Sequence, residues 1–294
     1  MDLESAWQAV LDFLRHTVAV VLPALRATAG HCLPLLLPLF GVGWLIHLAA
    51  SVFERDAVSL LGVKGYLYVL GWPGTSVHEL GHAVFCPLFG HRISGMKLFS
   101  FNPKSSSAGF VSHTFNRRNP WHLAGNFFIS VGPLLLGALV VYLLLRFLAG
   151  FPLQLSQIYS YGQTIPGPEN SIVEGAQSWA LLFWKAFRHL WSAVTANLDF
   201  KDWRLYLAAW LTLGVGSGMV LSGADIKLAL QGLAVILSVL FLTNVVLVLV
   251  KAAAPSMRPV IPAAAVLAFL MLLVLCVCTA GAVVFRLLRL VFRR

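Results

Sequence analysis

The segment His78-Glu79-Leu80-Gly81-His82 holds the residue types and spacing that can do chemistry. On a helix, positions i and i+4 share one face about 6 Å apart, so both imidazoles can bind one zinc ion. Glu79 is adjacent without being a ligand, which suits it to take a proton from an attacking water. Zinc lowers the pKa of a water it binds to about 7. Gly81 leaves room for a second backbone or a substrate to come close.

Two histidines leave a catalytic zinc one protein ligand short. The chain has 11 acidic residues, few enough to work through. Asp2, Glu4 and Asp12 lie in an amphipathic start, Glu54 and Asp56 in a short connection. Glu169 and Glu174 fall in a polar segment, and Asp199 and Asp202 precede an apolar run. Besides Glu79, only Asp225 stands between two long apolar runs, in Ser222-Gly223-Ala224-Asp225-Ile226-Lys227. It is the expected third ligand. A turn residue capping the next helix is the plainer role for it, and the two roles are compatible. Depth adds a condition. His82 lies about 12 Å along its helix from Gly90, so Asp225 has to reach similar depth. The glycines at 214, 216, 218 and 223 offer a break that lets Asp225 open a new helix there.

The elements that must position these residues are apolar. The 294 residues are 59% hydrophobic and only 11% charged, with a mean hydropathy of +0.84. Such a chain lies largely in lipid. The motif sits between Tyr66-Leu67-Tyr68-Val69-Leu70 and Ala83-Val84-Phe85. Ionisable groups at that depth are expensive, about 2.5–3.5 kcal/mol for a central Asp, Lys or Arg, and mark a functional site by default.

Apolar spans are expected over 31–53, 63–90, 121–149, 204–222, 226–250 and 259–285. The expected fold class is an all-α polytopic membrane protein of about six transmembrane helices, with a small β-hairpin between the second and third. Residues 1–30 form an N-terminal amphipathic helix, and 31–294 a membrane-embedded domain. In 91–120, Ile93 to Phe101 and Gly109 to Phe115 flank the turn-rich 102–107, which reads as the hairpin. That stretch carries five Lys and Arg and no acid, so it is placed in the cytoplasm. The 150–202 segment is placed outside, with 178–202 either an interfacial helix or a seventh span. Six spans then leave both termini cytoplasmic.

The net charge of +10 is spread over short stretches between spans, which fits membrane loops and gives nucleic acid no surface to bind. Cys32, Cys86, Cys276 and Cys278 all lie in apolar runs and are read as packing thiols, with Cys86 on the face of His82. Asn126 is read as a helix-packing amide or a donor to a reacting carbonyl oxygen. His91, His113 and His122 are assigned to loop surface.

His78-Glu79-Leu80-Gly81-His82 within a span, the hairpin, Gly132-Pro133 on a following helix and the later Asp225 together resemble the site-2 protease family. The resemblance covers about residues 63–149 and 204–235. It implies an intramembrane zinc endopeptidase with His78, His82 and Asp225 on the metal and Glu79 as general base. Its substrates would be membrane-embedded protein segments, and its site a bacterial inner membrane. Three departures stand beside it. Asp225 follows Gly-Ala instead of lying in an Asp-Gly context, no Asn follows Gly132-Pro133, and no insertion is long enough for a PDZ-type domain. A metalloprotease acting on peptides at the cytoplasmic surface, a metal transporter, and a silent relative that binds membrane proteins are the alternatives. The residues do not specify an oligomeric state.

Overall fold

The computed structural model describes residues 3–102, 107–164, 172–252 and 260–292. Helix α1 (Leu3–Leu36) runs through Pro23 and Gly30 without a break and passes by a π turn, Leu37–Val42, into α2 (Gly43–Tyr66). A second π turn, Leu67–Gly71, leads to the motif helix α3 (Trp72–Leu88). Strands β1 (Arg92–Lys97) and β2 (Phe110–Thr114) follow, then α4 (Pro120–Leu143) and a π turn at Leu144–Leu148. Helices α5 (Leu155–Thr164), α6 (Ile172–Thr195), α7 (Trp203–Gly218), α8 (Gly223–Leu249) and α9 (Val260–Phe292) complete the chain.

Among the described residues four helical runs are long and apolar enough to cross a membrane: Glu4–Leu88, Pro120–Leu148, Gly223–Leu249 and Ile261–Phe292. The first is bent. Gly62, at φ 69°, takes the left-handed backbone that glycine tolerates best. The chain then folds back, so that Tyr66, Leu67 and Leu70 pack with Phe53 and Ala57. The expected span over 204–222 is corrected. Helix α7 has 16 residues, about 24 Å, against the roughly 30 Å of a hydrocarbon core. Residues 219–222 are non-helical, and α8 starts beyond them. Helix α6 covers most of 178–202 and is not among the four runs.

Close backbone contact holds the centre. A methyl group on Gly81 would collide with the backbone of Gly132 and Pro133, and one on Gly125 with the Phe89 side chain, so α3 and α4 pack antiparallel with their backbones in contact at Gly81 and Gly132. Gly74 meets Gly214 and Gly218 in the same way, setting α7 beside the start of α3. Small residues that let helices approach are the usual packing device where lipid supplies no hydrophobic drive.

The side assignment needs a second correction. Threading six spans makes 31–53 and 259–285 antiparallel and puts 54–62 and the C-terminal arginines on opposite faces. Instead α2 and α9 run parallel: Gly43 lies by Met271, Phe53 by Phe285, and Asp56 by Arg289. Asp56 is fully buried and takes Arg289 Nη1 at 2.6 Å and Arg286 Nε at 3.3 Å. Those two cations are consumed in an ion pair, so their charge does not report the side as a free loop cation does. Residues 54–62 and the end of α9 share one end of the bundle.

The hairpin does not project away from the bundle. β1 and β2 pair antiparallel, with Arg92 opposite Thr114, Lys97 opposite Phe110, and a bulge between Ile93 and Gly95. From Gly90 the strands turn back along α3. Gly109 lies against the Glu79 side chain, and Phe101 stacks on Tyr68 with ring centroids 4.7 Å apart. Residues 103–106 of the expected turn, and Glu169 in the 150–202 segment, lie outside the described residues.

Candidate metal centre

His78 and His82 fall on one face of α3, and both rings are oriented by carbonyls that have lost their helical partners. His82 Nδ1–H donates to the Ile129 carbonyl at 2.8 Å. In an α-helix that carbonyl would bond the N–H of residue 133, but residue 133 is proline and has none. His78 Nδ1–H donates to the Gly218 carbonyl at 2.8 Å, which stands at the last residue of α7 and is one of the acceptors every helix end leaves open.

A carbonyl only accepts, so each ring carries its proton on Nδ1, and each Nε2 presents a lone pair. The two Nε2 atoms are 3.1 Å apart. Asp225 Oδ1 stands 3.4 Å from His82 Nε2. Three acceptors thus face one another, all within 4.8 Å, in a site where His82 is 9% exposed. Acceptors brought together in this way need a cation between them, and a metal ion fits that need. The group could hold a metal ion.

Asp225 arrives from the start of α8. Ser222 Oγ–H and Ser222 N–H both donate to its Oδ2, at 2.6 and 2.8 Å, while Asp225 N–H donates to Ser222 Oγ at 3.2 Å. This reciprocal capping box uses one carboxylate oxygen and leaves the other toward the histidines. Glu79 is 9% exposed and makes no hydrogen bond or ion pair with the described residues. Cys86 is fully buried and stands outside the group.

No protein-family model, curated protein or solved structure matches this chain. The reading of the site therefore rests on its own geometry.

Other polar residues matter nearby. Asn126 is 1% exposed on α4, three residues before Ile129, and neither its Nδ2 nor its Oδ1 has a hydrogen-bond partner among the described residues. A packing amide would be satisfied, so the structure does not support the packing role. The histidines set aside as surface are also corrected. His91 is 4% exposed. Its Nε2–H donates to the His122 carbonyl at 2.9 Å, and its Nδ1 accepts from His113 Nδ1–H at 3.0 Å. The Ile93–His113 pairing of the two strands brings them together, and no local spacing signals it. Burial pushes both imidazoles below the ordinary histidine range, which keeps the pair neutral and pins the hairpin root to α4.

Proposed function

We propose that this chain is a zinc-dependent endopeptidase of the site-2 protease type, acting on membrane-embedded protein segments. The observation that carries this reading is the convergence of His78 Nε2, His82 Nε2 and Asp225 Oδ1 next to Glu79 within a long apolar run of helix. Two imidazoles and one carboxylate are a catalytic zinc donor set. Donors on a tetrahedral zinc with bonds of about 2.0–2.1 Å lie roughly 3.3 Å apart; two of the three separations, 3.1 and 3.4 Å, are close to that, and the third is within 4.8 Å.

Zinc, when bound, supplies Lewis acidity toward water and the scissile carbonyl. Glu79, free of other partners, takes the proton from the attacking water and returns it to the leaving amine. Ile129 and Gly218 hold the two imidazoles with their lone pairs inward. Asn126 offers an unspent amide N–H for the substrate's carbonyl oxygen. An intact helix hides its carbonyls in its own hydrogen bonds, so the substrate must unwind locally. The hairpin beside Glu79 is the template for the extended form, since a strand can add to an open sheet edge.

The test is Glu79→Gln in the purified full chain, with metal content and cleavage of a helical membrane substrate measured together. Metal near one per chain with cleavage lost is expected, because an amide cannot accept the proton. Unchanged turnover would remove Glu79 as the base. A preference for casein over the membrane substrate would favour a surface peptidase.

A further inference from the structure

A cavity of about 520 Å³ opens where the β2–α4 connection meets the first turns of α4 and α8. It lies outside the metal group. Arg117 lines it from the β2–α4 connection and Lys227 from α8, with Gln231 one turn beyond Lys227. Neither cation forms an ion pair or side-chain hydrogen bond with the described residues, and both are exposed. Phe115, Leu123 and Leu228 supply apolar wall. The nearest acid in sequence, Asp225, is committed elsewhere, to Ser222 and His82, and its side chain is 13% exposed. The cavity is thus doubly cationic with no compensating acid.

Its height in the fold indicates what fills it. The membrane-length runs Pro120–Leu148 and Gly223–Leu249 both start at this cavity, so it sits at the level where two apolar spans emerge. On α8, Ile226 is 44% and Leu230 56% exposed, at the height of Lys227 and Gln231, so exposed aliphatic surface flanks the cavity on the same helix. Two cations and an amide beside exposed aliphatic surface match an amphiphile with an anionic head. Basic pockets between spans at the interface recognise lipid head groups by this combination, and the volume lies in the range of small-ligand sites.

We propose that this cavity binds the phosphodiester headgroup of an anionic phospholipid, with Arg117 and Lys227 on the phosphate and Gln231, one turn deeper, on the ester oxygens below it. The site braces the start of α8: Lys227 stands five residues after Ser222, whose cap holds Asp225.

The test uses the full chain in neutral detergent, with retained lipid counted by native mass spectrometry after exposure to equal phosphatidylglycerol and phosphatidylcholine. Wild type should retain phosphatidylglycerol in preference. The double variant Arg117→Gln, Lys227→Gln should bind it about 30-fold more weakly, and Arg118→Gln should behave as wild type. An unfolding midpoint near wild type in the double variant shows that it is folded, and that readout is independent of the catalytic reading. Equal retention of the two lipids, or an unchanged double variant, overturns the proposal. Displacement of the lipid by millimolar inorganic phosphate would make this a free-anion site. Displacement by a soluble acidic peptide would assign it to an acidic protein segment. Either overturns the lipid assignment.

Discussion

Pro133 provides His82 with its hydrogen-bond acceptor. The proline has no N–H to engage the Ile129 carbonyl, and that carbonyl takes His82 Nδ1–H at 2.8 Å. Pro133→Ala restores a competing helical N–H. Metal affinity, measured against a chromophoric chelator, should fall about tenfold, the low end for loss of a partner that orients a ligand. An unchanged affinity would show that His82 is oriented by something else.

Asp225 serves two purposes through two oxygens, and substitution can separate them. Asp225→Asn keeps a residue that caps helices well but removes the ligand charge; bound metal and cleavage should both be lost. Ser222→Ala removes the cap, costing about 1 kcal/mol of stability, and should weaken metal binding by roughly tenfold while leaving it measurable. Asp202 caps α7 by accepting from Arg204 N–H at 2.9 Å, remote from the metal group, so Asp202→Ala should leave metal binding intact. If Asp202→Ala abolished binding and Asp225→Asn did not, the ligand assignment would be wrong.

Gly109 brings the hairpin onto Glu79. A methyl there would stand 2.8 Å from Glu79 Cγ and equally close to the Leu98 carbonyl. Gly109→Val must push β2 away from Glu79. The expected result is cleavage reduced about a hundredfold, the scale of a 1 Å misplacement, with metal content unchanged. Parallel loss of metal and activity would make the hairpin a structural brace instead of part of the substrate site.

The ion pairs of Asp56 predict a topology. A cysteine label placed at Leu61, which is 42% exposed, and one at the C-terminus should react from the same side of sealed vesicles. Reaction from opposite sides would contradict the parallel packing of α2 and α9. Asp56→Ala leaves two arginines beside an apolar core, and should lower stability in detergent by about 3–5 kcal/mol, read as a lowered unfolding midpoint.

Local pattern determined much of this protein. The i, i+4 spacing puts His78 and His82 on one helix face wherever that helix goes, and helical runs long and apolar enough to cross a membrane are legible from composition alone. Scarcity of acids made Asp225 the candidate, because only one other acid was enclosed by apolar sequence. Its helix start was legible too, since Ser222 and Asp225 stand at cap spacing and glycines precede them. The tertiary structure decided what depends on partners distant in sequence. That Pro133 frees a carbonyl for a histidine 51 positions earlier, as the numbering shows, follows from the α3–α4 approach. The His91–His113 pair depends on strand register. Charge counting placed 54–62 and the C-terminus at opposite ends because it treats every arginine as free, whereas Arg286 and Arg289 are paired with an aspartate more than 200 residues away. Spacing within a helix is set by the covalent backbone; contacts between helices are set by which faces pack, and no single segment contains that information.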